Sequence, residues 1–218
     1  MELKIDLKII LFALIFYFTG QIEIYCLCLL FALIHELGHV LVARILGNKL
    51  LKFKIMPLGF SIFLQTNIED YNKKIKKGNM YVLKNLIISM AGPITNIIIF
   101  LVTFFLPIES MLKEKIIYIN AIIAIFNLIP MYPLDGSKIL QNALKLFCSN
   151  KESYKYINIV ANATLIIFTI FCSVFILYAQ NIAIVAILIY LWYINIKENE
   201  RQKIRNKILN NNYIIIWK

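Results

Sequence analysis

The chain is predicted to fold as an all-α polytopic membrane protein of about six transmembrane helices, with a small membrane-associated β-hairpin between spans two and three. Three observations predict this. The 218 residues are 61% hydrophobic, with a mean hydropathy of +0.75, whereas a soluble domain is usually about 45–50% apolar. Several segments reach the roughly 17–25 residues a helix needs to cross hydrocarbon. Few charged residues fall within these segments. A membrane β-barrel would need alternating strands of about ten residues, and no segment alternates that way.

The spans are expected at about 7–20, 24–46, 83–106, 116–134, 156–178 and 180–196, with ends soft by several residues. The first run is long, is followed by others and has no small-residue cleavage site after it, so it reads as a membrane helix that also targets the chain. Residues 49–80 are half polar. Their first part, 51–66, is rich in β-branched and aromatic residues around a Pro57-Leu58-Gly59 turn signal and reads as a hairpin. Their second part carries Lys73, Lys74, Lys76 and Lys77 and must be solvated or interfacial. Residues 1–196 are expected to form one domain. Residues 197–218 are expected to form a basic cytoplasmic tail too short for a folded unit, lying against anionic lipid.

The formal net charge is +11. On a soluble protein that would suggest nucleic acid, but here it marks cytoplasmic segments. With the N-terminus inside, only Lys113 and Lys115 of the 23 Lys and Arg residues fall outside. Both termini are therefore expected in the cytoplasm, with no nucleic-acid partner. Cys26, Cys28, Cys148 and Cys172 show no Cys-x-x-Cys spacing and read as apolar filler, with no disulfide.

The second span contains His35-Glu36-Leu37-Gly38-His39, which holds both histidines of the chain. A helix sets residues i and i+4 on one face, so both imidazoles can bind one metal ion with Glu36 beside it as general base. An ionisable residue inside a membrane is costly and marks function by default. His35 precedes Arg44 by about nine residues, roughly 13 Å of helix, which puts the site in the cytoplasmic half of the membrane. A catalytic zinc takes three protein ligands and keeps one position open for water. The third ligand must be a carboxylate or a cysteine. Nearly all Asp and Glu residues lie in loops or tails; the exception is Asp135, at the inner end of span four. Pro130 and Pro133 break the helix just before it, and irregular backbone at that depth is tolerated where it lines a cavity. Asn127, an amide in an apolar helix, serves either as an oxyanion donor or as interhelical glue.

His35–His39 in span two followed by Asn-x-x-Pro-x-x-Pro-Leu-Asp-Gly over 127–136 resembles the site-2 protease family of intramembrane zinc metalloproteases. Ala91-Gly92-Pro93-Ile94-Thr95-Asn96 is similar to a further element of that family. The resemblance spans about residues 30–140 and is closest to the branch of the stage IV sporulation protease, which processes pro-sigma-K. It implies His35, His39 and Asp135 as zinc ligands and Glu36 as catalytic base. It implies Asn127, Pro130, Pro133 and Gly136 as the element shaping the cleft. It also implies that 51–66 is the family's membrane-dipping hairpin, on which an extended substrate would pair through Phe53, Ile55, Phe60 and Ile62. Ala91 and Gly92 would permit close helix packing.

What the resemblance implies for function is hydrolysis of a membrane-associated regulatory protein near the cytoplasmic face of a bacterial membrane. A pro-sigma factor is the first expectation; an anti-sigma factor or a remnant signal peptide is the alternative. A regulatory membrane partner and a homo-oligomer fit the same picture. Two departures stand out: the branch's cytoplasmic CBS domain is expected to be absent, and Ser137-Lys138 replace a frequent Gly and Arg. The second is expected to have little chemical consequence because it lies outside the ligands. From other classes, a non-catalytic zinc-binding membrane protein would more simply have lost Glu36 or a ligand, and a metal transporter would show internal repeats.

Overall fold

The computed structural model describes the backbone at residues 2–5, 7–56, 59–65, 74–75, 78–107, 110–179 and 182–216. Side chains are described at 7–48, 80–107, 110–177, 182–201 and 204. The helices are α1 (Lys8–Phe18), α2 (Ile22–Ile45), α3 (Met80–Phe105), α4 (Ser110–Leu128), α5 (Asp135–Lys145), α6 (Asn150–Ala179) and α7 (Ile182–Ile216). The strands are β1 (Glu2–Ile5), β2 (Lys49–Met56), β3 (Gly59–Gln65), β4 (Lys74–Ile75) and β5 (Gly78–Asn79).

Two parts of the expected fold are corrected. Six spans are expected, but among the described residues four helices are long and apolar enough to cross a membrane: α2, α3, α6 over Asn150–Leu177 and α7 over Ile182–Arg201. The run at 7–20 yields an α1 of 11 residues, about 16 Å long and so short of a hydrocarbon core of about 30 Å. The run at 116–134 stops being helical at Leu128, and Lys113, Glu114 and Lys115 occupy the first turns of α4. The second correction concerns the hairpin. β2 and β3 pair antiparallel, Ile55 opposite Phe60, but they are not an isolated hairpin in an all-α fold. β1 adds to β2 in parallel, with Leu3 opposite Phe53 and Ile5 opposite Ile55, giving the order β1-β2-β3. The pairing joins segments remote in sequence, and a four-residue strand leaves too little periodicity to announce itself. Nothing in the structure places this sheet at a membrane.

The helices bury little of their apolar surface against each other. Ile98, Leu101 and Phe104 on α3, and Ile167, Ile170 and Phe171 on α6, face outward. That is the pattern of helices solvated by lipid, where association rests on close packing and interhelical hydrogen bonds. Together with the four long apolar helices among the described residues, this is the surface of an integral membrane protein. Inside, α3 packs against α2, α4 and α5, so it is the central helix of the site-bearing half. Met131 and Leu134, from the link between α4 and α5, are buried with Leu165 of α6 and Leu191 of α7. Phe12, Tyr25 and Tyr190 join α1, α2 and α7 in a second cluster. Beyond the last expected span, α7 continues unbroken through residue 197 to Ile216.

Candidate metal centre

His35 and His39 lie one turn apart on α2 and are 3% and 6% exposed; Asp135 opens α5 and is 4% exposed. The histidines meet Asp135 because the link after α4 is tied down. Met131 and Leu134 plug the α6–α7 cluster, and the Pro130 carbonyl lies 3.0 Å from the Thr164 hydroxyl of α6, which has its shortest contact, 2.6 Å, with the Val160 carbonyl. A Cβ at Gly136 would collide with the backbone of Leu128 and Ile129, so the turn closes tightly enough only with glycine there. Asp135 also sits at a helix N-terminus, where the backbone dipole favours a carboxylate.

Asp135 Oδ2 lies 2.9 Å from Nε2 of both His35 and His39, and the two Nε2 atoms are 3.3 Å apart. Two atoms held about 2.0–2.1 Å from one tetrahedral ion lie about 3.3 Å apart. The two imidazoles stand at that spacing, and Asp135 Oδ2 lies somewhat closer to each, so the three donors converge on one point. Gly92 of α3 confirms the fit: a Cβ there would overlap Nε2 of both histidines. Glycine leaves open the space in front of the donors. Two imidazoles and one carboxylate, buried and convergent, are the donor set of a catalytic zinc, and the centre is fitted to zinc.

Each ligand has an outer partner. His39 Nδ1–H donates to the Ile88 carbonyl of α3 at 2.6 Å. His35 Nδ1–H donates to Asn96 Oδ1, also on α3. Lys138 Nζ donates to Asp135 Oδ1 at 2.8 Å, leaving Oδ2 to face the histidines. The expectation that position 138 has little chemical consequence is at odds with this contact: one helical turn from Asp135, Lys138 is in reach of its carboxylate.

Glu36 is half-buried beside His35. Asn127 is not drawn into the donor cluster; its Nδ2 donates to the Ile123 carbonyl of its own helix at 3.0 Å. Of the residues expected to receive a substrate strand, Phe53 and Ile55 lie on β2, which is paired along both edges. That strand has no open edge there. Phe60 and Ile62 lie on the outer strand β3. Sequence reasoning missed Asn120, the Ile88 carbonyl and Lys138, and it read Gly92 as a packing residue only. A signal for Asn120 was available: an amide in an apolar helix, the same signal that singled out Asn127.

Fold and site together define a helical membrane metalloprotein with a His–His–Asp centre. Residues 107–171 match the family model described as Peptidase family M50, a stretch that includes Asp135. The chain is 28% identical over 126 residues to stage IV sporulation protein FB of Bacillus subtilis, covering 56% of this chain and 40% of that protein. It is 31% identical over 137 residues to a zinc metalloprotease of Methanocaldococcus jannaschii, covering 59% of this chain and 35% of that one. The chain thus spans less than half the length of these curated relatives. The solved structure of a site-2 protease from Methanocaldococcus jannaschii shares its fold, with a TM-score of 0.65 and 24% identity over 90% of this chain and 89% of that one. Residues 107–171 are thus similar to peptidase family M50, and the chain shares the fold of a solved site-2 protease.

Proposed function

We propose that this protein is an intramembrane zinc endopeptidase, with residues 1–196 as its catalytic unit. The observation that carries the reading is the convergence of His35, His39 and Asp135 on one point, Oδ2 lying 2.9 Å from both imidazoles, with Glu36 next in sequence to His35. Zinc, when bound, supplies a Lewis acid that polarises a carbonyl and lowers the pKa of water to about 7. Glu36 takes the proton from the attacking water and passes it to the leaving amine. Asn127 spends one amide hydrogen on Ile123 and has the second to offer a substrate carbonyl. Pro130 and Pro133 keep the backbone before Asp135 out of helix, and Gly136 lets the turn close on Leu128 and Ile129, so that Asp135 is delivered to the two histidines.

Charge supports an orientation with the site in the cytoplasmic half of the membrane and both termini inside. Pairing of β1 with β2 brings Lys4 to the same side as the lysines that follow α2. At the other end of α2, Glu23 pairs with Lys115 at 2.6 Å, the outer position expected for that lysine.

The substrate is a membrane-associated regulatory protein, and likeness to stage IV sporulation protein FB favours a pro-sigma factor cut during sporulation. Comparable likeness to a metalloprotease whose name carries no sporulation role favours a second reading, in which an anti-sigma factor or a remnant signal peptide is cut. The full chain, reconstituted with zinc in liposomes, should be offered tethered substrates of all three kinds. Chelator-sensitive cleavage of the pro-sigma type alone supports the first reading, and cleavage of either other type moves the assignment there. Failure to cut any of them with zinc bound contradicts the peptidase reading.

A further inference from the structure

The outer partner of His35 does not end at Asn96. Asn96 Nδ2 donates to Asn120 Oδ1 of α4 at 2.8 Å, and Asn120 Nδ2 donates to the Ile116 carbonyl at 2.9 Å. Both asparagines are 0% exposed. The line therefore runs from α2 through α3 to α4 by direct hydrogen bonds. Its direction is fixed from the far end. A backbone carbonyl can only accept, so Asn120 must turn its NH2 toward Ile116 and its oxygen toward Asn96. Asn96 must then offer its NH2 to Asn120 and its oxygen to His35. An oxygen facing Nδ1 requires the proton on Nδ1. The lone pair of the neutral ring is left on Nε2, the atom that faces Asp135 and His39.

His39 Nδ1 meets the Ile88 carbonyl directly at 2.6 Å and the Gly92 N–H at the longer distance of 3.2 Å, and the shorter contact selects the same tautomer in one step. Among the described residues His35 Nδ1 meets Asn96 Oδ1 rather than a backbone carbonyl, so the two amides carry the instruction.

We infer that Asn96 and Asn120 are positioning residues that hold His35 in its metal-binding tautomer and orientation, with Asn120 acting only through Asn96. This rests on the zinc reading of the centre. Neither residue touches the reacting atoms. Outer partners of metal-binding histidines commonly contribute about 10–100-fold in metal affinity. A pair of amides retained only as glue between helices would contribute to folding and leave metal affinity unmoved.

The test is zinc affinity of the detergent-solubilised full chain, by chelator competition, alongside thermal unfolding without metal and the visible spectrum of the cobalt-substituted protein. Asn96→Leu should weaken zinc binding about 10–100-fold and alter the cobalt spectrum. Asn96→Asp keeps an oxygen for His35 Nδ1–H and should retain the affinity. Asn120→Leu should weaken binding less than Asn96→Leu does, and should cost nothing further in the Asn96→Leu background. Zinc affinity equal to wild type in Asn96→Leu overturns the inference, and an additive loss in the double variant overturns the coupling through Asn96. If Asn96→Leu fails to fold, unchanged affinity in Asn120→Leu overturns it instead. A wild-type chain that binds no zinc contradicts the metal reading, which is a different failure.

Discussion

Two of the places where the described helices bury polar side chains against each other are built differently. At the metal centre each donor finds an outer partner: Asn96 for His35, Ile88 for His39 and Lys138 for Asp135. Between α6 and α7, Asn195 and Asn199 both donate to Asn162 Oδ1, at 2.7 and 3.1 Å. There the side-chain oxygens of Asn195 and Asn199 are buried without a partner. An unmet acceptor costs free energy, so a network that leaves acceptors unmet is not one that orients a ligand. The first region uses hydrogen bonds to aim three donors at one point. The second uses them for adhesion between helices, where apolar packing alone gains little from lipid.

The comparison breaks most visibly at the ligands. Asp135→Ala should remove stoichiometric zinc and abolish cleavage, whereas Asn162→Leu should leave zinc content as it was; metal analysis of both purified variants checks this. Gly92→Ala comes next. Its methyl group would take the space in front of both Nε2 atoms, so zinc occupancy should fall sharply. Overpacking should also lower stability by about 1–3 kcal/mol, read from unfolding curves. Lys138→Gln frees Asp135 Oδ1 and should weaken zinc toward the lower end of the about 10–100-fold range for outer partners, since the lysine is partly solvated. The smallest effect belongs to Asn162→Leu itself, about 0.6–2 kcal/mol of stability with zinc affinity unchanged. A large loss of zinc in that variant would erase the distinction between the two regions.

The site was more legible than the fold. His35, Glu36 and His39 announce themselves through helical spacing in a chain that has no other histidine. Asp135 follows because it is a carboxylate at a helix end beside two prolines. What surrounds them was less legible, since Asn96 and Asn120 matter only through contacts between α2, α3 and α4 that no local pattern encodes. Spans were over-counted for a related reason. Hydropathy adds the apolar residues 129–134 to α4, but Pro130, Pro133 and Gly136 turn that stretch into the link that delivers Asp135. The strand β1 was hidden because its partner lies far along the chain and its lysine read simply as a cytoplasmic charge.

The central claim is that Glu36 performs proton transfer at a zinc centre formed by His35, His39 and Asp135. Its most direct test is turnover of a membrane-tethered substrate by wild type and Glu36→Gln at matched zinc content. The account predicts equal zinc in the two proteins and a fall in cleavage of about 10²–10⁴-fold in the variant, the usual worth of a general base. Equal cleavage rates at equal zinc would contradict it.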